Sequence, residues 1–160
     1  METTRHFVTT VFVVHENETA LHEHKKLELM LAPGGHIDRD ELPHEAAERE
    51  VLEETGLDVS IDGRDQGIGS YEWSSEIPAP DHVALDDITV KDGEPVHQHI
   101  NLVYFAEVDT KSISPEGHDE VGEEGWYWLD KEELKNTKDL PFEIDGMTRE
   151  LGVKAIDRFN

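Results

Sequence analysis

The sequence contains no cysteine, which excludes several kinds of chemistry at once. Without thiols the chain has no disulfide framework, no zinc-thiolate site and no cysteine nucleophile. Any active site must therefore use oxygen and imidazole groups. An absence of disulfides also fits a reducing compartment, so we expect a cytoplasmic location.

Basic side chains are scarce. There are 14 lysines and arginines against 38 aspartates and glutamates, which gives a formal net charge of -24 and a pI of about 4.5. Nucleic acids and anionic lipids are bound by clusters of lysine and arginine, so we expect neither nucleic acid nor a membrane as a partner. A phosphate ligand would need a cation to mediate its binding.

Long hydrophobic runs are also missing. No stretch approaches the ~18 apolar residues of a membrane helix. The apolar patch at residues 7–14 contains two threonines and is followed by His15 and Glu16, so we interpret it as a strand and not as a signal segment. A length of 160 residues with 36% hydrophobic side chains favours one globular domain, 1–160, with a real core.

Strand-like and helix-like segments alternate along the chain, which is typical of a layered α/β fold. We predict strands at residues 7–14, 26–31, 67–73, 88–90, 96–108 and 126–129. The turn residues Asp92 and Gly93 predict a hairpin, and its long second strand is expected to be central. The acidic, His-rich link between the first two strands and residues 74–87 are expected to be loops.

Three helices are predicted. The first spans residues 43–55, with Pro43 at its first position and Gly56 as the C-terminal cap. A short helix through Leu134 has Asp130 as its N-cap, and a terminal helix covers residues 147–159.

The first helix carries an unusual cluster of charge. At 100° per residue, Glu50, Glu53 and Glu54 fall within an arc of about 100°, and Glu53 and Glu54 lie at the helix end that disfavours anions. A divalent cation would turn this repulsion into coordination. Oxygen ligands without cysteine favour Mg²⁺ or Mn²⁺. The alternative, which the glutamates alone leave open, is a solvated acidic face in a uniformly acidic chain.

The residues around this helix follow a longer pattern: a glycine, five residues, a glutamate, seven residues, then Arg-Glu-aliphatic-any-Glu-Glu-any-Gly-aliphatic. It is filled by Gly35, Glu41, Arg49, Glu50, Val51, Glu53, Glu54, Gly56 and Leu57. This is the Nudix box without a departure, and the chain resembles the Nudix hydrolases over these 23 residues. The resemblance implies an α/β/α sandwich around a central mixed β-sheet. It also implies metal-dependent hydrolysis of a nucleoside diphosphate linked to another group.

The resemblance further implies a role for each matched residue. Glu50 and Glu54 would be the principal metal ligands, Glu53 a further ligand or the base that deprotonates the attacking water, and the Gly34 carbonyl another ligand. Arg49, Glu41 and Gly35 would support these ligands, since Arg49 is four residues before Glu53 and four after Glu45. Family members often take an extra acidic ligand or base from a later loop. In the segment 118–124 we favour Glu120 over Glu123 and Glu124 for this role. The alternative is that the segment is a solvated turn.

Residues for substrate binding are less well marked. His97, His99 and Asn101 alternate onto one strand face and could touch a base or a phosphate, with core or rim packing as the alternative. Tyr71 could stack on a nucleobase, as could Trp73, Trp126 and Trp128, unless these rings pack in the core. Markers that separate Nudix subgroups fall at residues 72–75 here, and neither proline nor tyrosine is present. Nucleoside triphosphates, including oxidised ones, and ADP-ribose are the leading substrates.

Two other functions compete with hydrolysis. A Nudix-fold regulator that binds nucleotides without turnover is opposed by the complete set of box glutamates. An isoprenoid diphosphate isomerase of the same fold usually relies on a cysteine, which this chain lacks. The resemblance also makes a homodimer possible, because dimers are common in the family.

The acidity itself gives a testable prediction. Excess carboxylates keep a protein hydrated in a very saline cytoplasm, and molar salt shortens the Debye length to ~3 Å and so removes most self-repulsion. We therefore expect a halophilic protein whose thermal unfolding temperature is markedly higher in multimolar KCl than at low salt. Differential scanning calorimetry across a KCl series measures this, and equal stability at both ends would contradict it.

Overall fold

The computed structural model describes residues 2–61, 66–117 and 120–160. Seven strands and three α-helices occur in these residues. The strands are β1 (Thr4–His15), β2 (Glu18–His24), β3 (Leu29–Leu31), β4 (Gly34–His36), β5 (His82–Lys91), β6 (Glu94–Glu107) and β7 (Trp126–Leu129). The helices are α1 (Pro43–Thr55), α2 (Lys131–Lys135) and α3 (Gly146–Arg158), and a 3₁₀ turn (Glu123–Gly125) precedes β7.

The strands form one mixed sheet with the order β3-β2-β1-β6-β5. β1 and β6 run parallel over eleven paired positions, from Thr4 opposite His97 to Val14 opposite Glu107. The other pairings are antiparallel: β4 pairs with β1, and β7 pairs with β2. β1 is therefore the strand against which most of the sheet is assembled.

Each face of the sheet is covered around β1, since successive side chains of this strand enter opposite cores. Val11 and Val13 pack with Ala47 and Val51 of α1. The core on the other face combines Phe12 and Val14 of β1 with residues of α2 and α3, including Leu134, Leu151, Ala155 and Ile156. The predicted α/β/α sandwich around a mixed sheet is confirmed. In the described part of the chain, no helix has the length and apolar character needed to cross a bilayer.

The prediction of a loop between the first two predicted strands is wrong for the region that follows β1. That region contains β2, whose Ala20 and Leu21 are buried and which pairs with β1 through a tight turn at Glu16. Glu16 adopts φ 54° without being a glycine, so the sequence carries no glycine signal for this turn. The next strand begins later than predicted, at Leu29, because Glu28 also has a positive φ of 53°.

The region before the hairpin differs from the prediction as well. Residues 67–73, all within the described chain, form no strand beyond a single bridge between Ser70 and Ser75. β5 begins at His82, so the second half of the predicted loop 74–87 is strand. The hairpin at Asp92-Gly93 is confirmed, and β6 lies inside the sheet between β1 and β5.

The helix predictions hold closely. α1 has the predicted bounds, with Pro43 at its start and Gly56 in the left-handed conformation at φ 74°. The Asp130 side chain accepts a hydrogen bond from the Glu133 N–H and caps α2. α3 begins one residue earlier than predicted, where Asp145 accepts from the Thr148 N–H.

The end of α1 gives a stability prediction. Gly56 has φ 74°, and a Cβ there would lie 2.0 Å from the Ser114 carbonyl oxygen. Gly93 has φ 80° with no atom within 4 Å of its Cβ position. An alanine there therefore shows the cost of a positive φ without a steric overlap. We expect Gly93→Ala to lower the free energy of unfolding by about 1 kcal/mol and Gly56→Ala by at least about twice as much. Denaturant unfolding at one fixed salt concentration measures both, and equal losses would contradict the steric argument.

Candidate active site

Two glutamates of α1, Glu50 and Glu54, contact β4, and Arg49 links Glu53 to Glu50. The Glu50 side chain is 14% exposed and that of Glu53 is 42% exposed. Glu50 lies directly against the backbone of β4, since a Cβ on Gly35 would be 2.3 Å from Glu50 Oε1. The Gly34 N–H donates to Glu54 Oε2 at 2.7 Å. The carboxylates of Glu50 and Glu54 are thus held between the helix and the two glycines of β4, which have no side chains to displace them.

Arg49 orients this cluster. Its guanidinium donates to both carboxylate oxygens of Glu41, at 2.6 and 2.9 Å. Nη1 donates to Glu50 at 2.9 Å and to Glu53 at 3.2 Å, and Nη2 donates to the His36 carbonyl at 3.1 Å. Helical spacing places both Glu45 and Glu53 four residues from Arg49. Arg49 donates to Glu53, whereas Glu45 accepts a hydrogen bond from the Leu42 N–H at the start of the helix. One arginine therefore restrains three glutamates and the end of β4.

The protonation of the cluster reflects an excess of negative charge. Burial, together with the charges of Glu50, Glu120 and Glu53, raises the pKa of Glu54 to about 8, although the Gly34 N–H opposes the shift. Burial also raises the pKa of Glu50 against the opposing effect of Arg49. The hydrogen bond from Arg49 lowers the pKa of Glu41, so this carboxyl group stays charged. A bound cation would restore the charged form of Glu54.

The loop after β6 brings Glu120 to the same cluster. The last carbonyls of a helix need partners outside it, and amides of this loop supply them. The Ser114 N–H donates to the Thr55 carbonyl at 2.8 Å, and the amides of Glu116 and Gly117 donate to the Glu53 carbonyl at 3.0 and 2.9 Å. Glu120 follows closely and acts electrostatically on both Glu50 and Glu54.

Two other glutamates of the predicted acidic segment do not join them. Glu123 and Glu124 are exposed and belong to the 3₁₀ turn. The segment also includes residues 118 and 119, which lie outside the described residues. The role of Glu120 as an extra ligand or base stays a prediction.

The donor set fits a hard divalent cation. Glu50, Glu53, Glu54 and Glu120 offer carboxylate oxygens only, which suit magnesium or manganese and not a thiolate-binding metal. The partly buried, mutually repelling carboxyl groups are the arrangement that such a cation stabilises. The structure shows the Gly34 amide at Glu54, whereas a metal contact by the Gly34 carbonyl stays a prediction.

A cavity of about 700 Å³ opens beside the carboxylates, and Glu54 and Gly34 form part of its wall. His99 and Asn101 also line it, whereas their contact with a base or a phosphate stays a prediction. Asn101 is fixed by two hydrogen bonds: it accepts from Thr10 Oγ1 at 3.0 Å and donates to Asp86 Oδ2 at 3.2 Å.

Tyr71 lies elsewhere. Its side chain is 72% exposed, and it is not among the described residues that line the cavity. Its role in stacking on a base stays a prediction. Among the other aromatic candidates, Trp73 is 91% exposed, whereas Trp126 is buried and Trp128 packs against the core.

Sequence reasoning missed several cavity residues: His36, Thr10 and Asp86. Thr10 lies on β1, His36 on β4 and Asp86 on β5, and strand pairing brings them together. His99 of β6 lies opposite His6 of β1 and opposite Asp86 of β5. Burial, followed by repulsion from the rings of His36, His97 and His6, lowers the pKa of His99. The residue types were available from the sequence, but the strand register that brings them together was not.

Known proteins agree with this architecture. The family model described as the NUDIX domain matches residues 4–151. A crystal structure of a NUDIX family hydrolase from Clostridium perfringens is similar to this chain with a TM-score of 0.83 and 32% identity, covering 98% of this chain and 99% of that one. Comparison with curated proteins gives no match.

More distant structures share the fold alone. The MutT protein of Bacillus halodurans has a TM-score of 0.58 at 17% identity, covering 91% of this chain and 78% of that one. The C. elegans Ap4A hydrolase has a TM-score of 0.56 at 14% identity, covering 98% and 96%. With the family model spanning most of the chain and a close structural relative along its whole length, this protein belongs to the NUDIX hydrolase family, which cleaves pyrophosphate bonds.

Proposed function

We propose that this chain hydrolyses a pyrophosphate bond in a nucleoside diphosphate linked to a second group, using Mg²⁺ or Mn²⁺ held by Glu50, Glu53 and Glu54, with the Gly34 carbonyl as a further ligand. The observation that carries the proposal is the arrangement of carboxylates at the end of α1: Arg49 donates to both Glu50 and Glu53, and the Gly34 N–H donates to Glu54. Enzymes of this family generally use divalent metal cations.

The roles of the side chains follow from their positions. When bound, the divalent cation polarises the pyrophosphate and acidifies a water molecule. Arg49 keeps Glu50 and Glu53 in place through its hydrogen bonds, and Glu41 in turn holds Arg49. Glu53, with its side chain 42% exposed, or Glu120 takes the proton of the attacking water. The water oxygen bonds to one phosphorus as the bridging P–O bond breaks and its electrons leave with the other phosphate.

The substrate class rests on the cavity and on the family. A volume of about 700 Å³ is in the range of small-molecule sites and accommodates a nucleotide. In this proposal His99 and Asn101, which line the cavity, contact a base or a phosphate of the substrate. Stacking by Tyr71, which does not line the cavity, stays a prediction. Relatives at the level of fold include a MutT protein, a UDP-X diphosphatase and an Ap4A hydrolase, so the fold admits several substrates. We favour nucleoside triphosphates, including oxidised ones, and ADP-ribose; a homodimer and a cytoplasmic location stay predictions.

The direct experiment measures release of phosphate-containing products with magnesium and high KCl. The panel includes nucleoside triphosphates, oxidised nucleotides, ADP-ribose, dinucleoside polyphosphates and coenzyme A. Turnover of at least one of these compounds supports the proposal. Binding of nucleotides without turnover of any of them would identify a silent regulator instead.

Replacing Glu54 by glutamine tests the metal site. We expect Glu54→Gln to lower kcat by at least about 10³-fold, since an amide is a poor ligand for a hard cation. Folding should persist. The pKa of Glu54 rises from 4.5 to about 8 on folding, so its stabilising contribution is present below pH 4.5 and is lost as the pH rises towards 8. Without metal at pH 8, the variant should therefore unfold at the same or a higher temperature than the unmodified chain.

Glu150→Gln is the matched control for this variant, because Glu150 is an exposed residue of α3. It should change neither kcat nor the unfolding temperature. Near-full activity of Glu54→Gln would remove Glu54 from the metal site.

Replacing Gly35 by alanine tests the contact between β4 and α1. A Cβ at Gly35 would overlap Glu50 Oε1 at 2.3 Å, so the Glu50 carboxylate must move away from its position. We expect the apparent Mg²⁺ affinity to fall about 10- to 100-fold, with an unchanged circular dichroism spectrum. Gly146→Ala is the control, because no atom lies within 4 Å of its Cβ position. Equal Mg²⁺ affinity in the two variants would show that Glu50 is not held at the metal by this contact.

A further inference from the structure

Three histidines converge on the sheet at the rim of the cavity. Ring nitrogens of His6, His36 and His99 all lie within 4.8 Å of one another. His6 Nδ1 and His36 Nε2 are 3.3 Å apart, and the ring centroids of His36 and His99 are separated by 5.1 Å. Three imidazoles that are distant in sequence therefore point into one small volume.

The backbone register produces this convergence. His6 on β1 lies opposite His99 on β6, and Val8 on β1 lies opposite His36 on β4. Side chains two residues apart share a face of a strand, so His6 and Val8 point to the same side. Their partners on the neighbouring strands, His99 and His36, point to that side as well. The cluster is thus built on three hydrogen-bonded strands and not on a flexible loop.

Neighbouring groups restrict the rings. The His97 ring packs edge-on against His6, with centroids 4.6 Å apart, and His97 Nδ1 shares a hydrogen bond of 2.8 Å with Thr4 Oγ1. On the other side, Asp86 lies opposite His99 in the pairing of β5 with β6. A carboxylate beside a histidine is a frequent companion of metal-bound imidazole.

The geometry and donor type select a class of ion. A metal–nitrogen distance of about 2.0–2.1 Å in a tetrahedral site places two nitrogens roughly 3.3–3.4 Å apart, as His6 and His36 already are. Imidazole nitrogen suits zinc, copper, nickel and iron, whereas the carboxylates of α1 suit magnesium. The two clusters therefore differ in the metals that they prefer.

We propose that His6, His36 and His99 bind one divalent transition-metal ion of the zinc class, at a site separate from the carboxylate site of α1. Three protein ligands leave a fourth position for water or an anion. His6 and His36 are exposed and His99 is half-buried, so the ion reaches the site directly from solvent. This site does not depend on the proposed hydrolysis, and its tests use binding and not activity.

The first test is a Zn²⁺ titration by isothermal calorimetry, with millimolar Mg²⁺ present to occupy the carboxylates. The unmodified chain should bind one equivalent. His6→Asn, His36→Asn and His99→Asn should each weaken binding at least about 10-fold. His82→Asn should bind as the unmodified chain does, since His82 is a histidine of β5 outside the cluster. If the three variants bind like the unmodified chain, or if Glu54→Gln removes the zinc instead, the proposal is overturned.

A second test needs no variant. Long-range ¹H–¹⁵N spectra of the unmodified chain resolve its ten histidine rings during titration with Zn²⁺. Only the rings of the cluster should shift strongly at one equivalent. Co²⁺ should give the visible absorption of a tetrahedral site, without thiolate bands because the chain has no cysteine. Shifts confined to histidines outside the cluster would also overturn the proposal.

Discussion

Mutual repulsion among carboxylates at the end of α1 is the constraint on which the site depends. Glu50, Glu53 and Glu54 lie on one side of a helix whose C-terminal end already disfavours anions, and Glu120 adds a fourth carboxyl group. Two groups reduce this repulsion: Arg49, which donates to three glutamates, and the Gly34 N–H, which donates to Glu54. What these contacts leave uncompensated is the charge that a divalent cation neutralises.

The close approach of α1 explains why β4 has a glycine at position 35. The strand must supply an amide to Glu54 and leave room for the Glu50 carboxylate, and a Cβ at Gly35 would occupy that room. Its next residue, His36, then serves two purposes: its carbonyl accepts from Arg49, and its ring faces His6 and His99. The carboxylate cluster and the histidine cluster are therefore joined through three consecutive residues of one strand. Their donor atoms nevertheless differ, oxygen in one and nitrogen in the other.

Much of the site was predictable from the sequence because its residues are local. The helix bounds at Pro43 and Gly56 follow from backbone restrictions that act within a few residues. The shared face of Glu50, Glu53 and Glu54 follows from helical periodicity. β2 was missed for the opposite reason: its turn places Glu16 at a positive φ without a glycine, and pairing with β1 stabilises a strand whose composition resembles a loop.

The sequence by itself determined the oxygen chemistry, the helix that presents it and the family, since these depend on residue types and on spacing within 23 positions. Only the tertiary structure decided which distant residues meet. The loop amides that bind the Glu53 carbonyl carry Glu120 to the helix end, and the parallel pairing of β1 with β6 sets His6 beside His99. The physical reason is that strand register and loop docking arise from the packing of the whole chain, and no short stretch of residues specifies them.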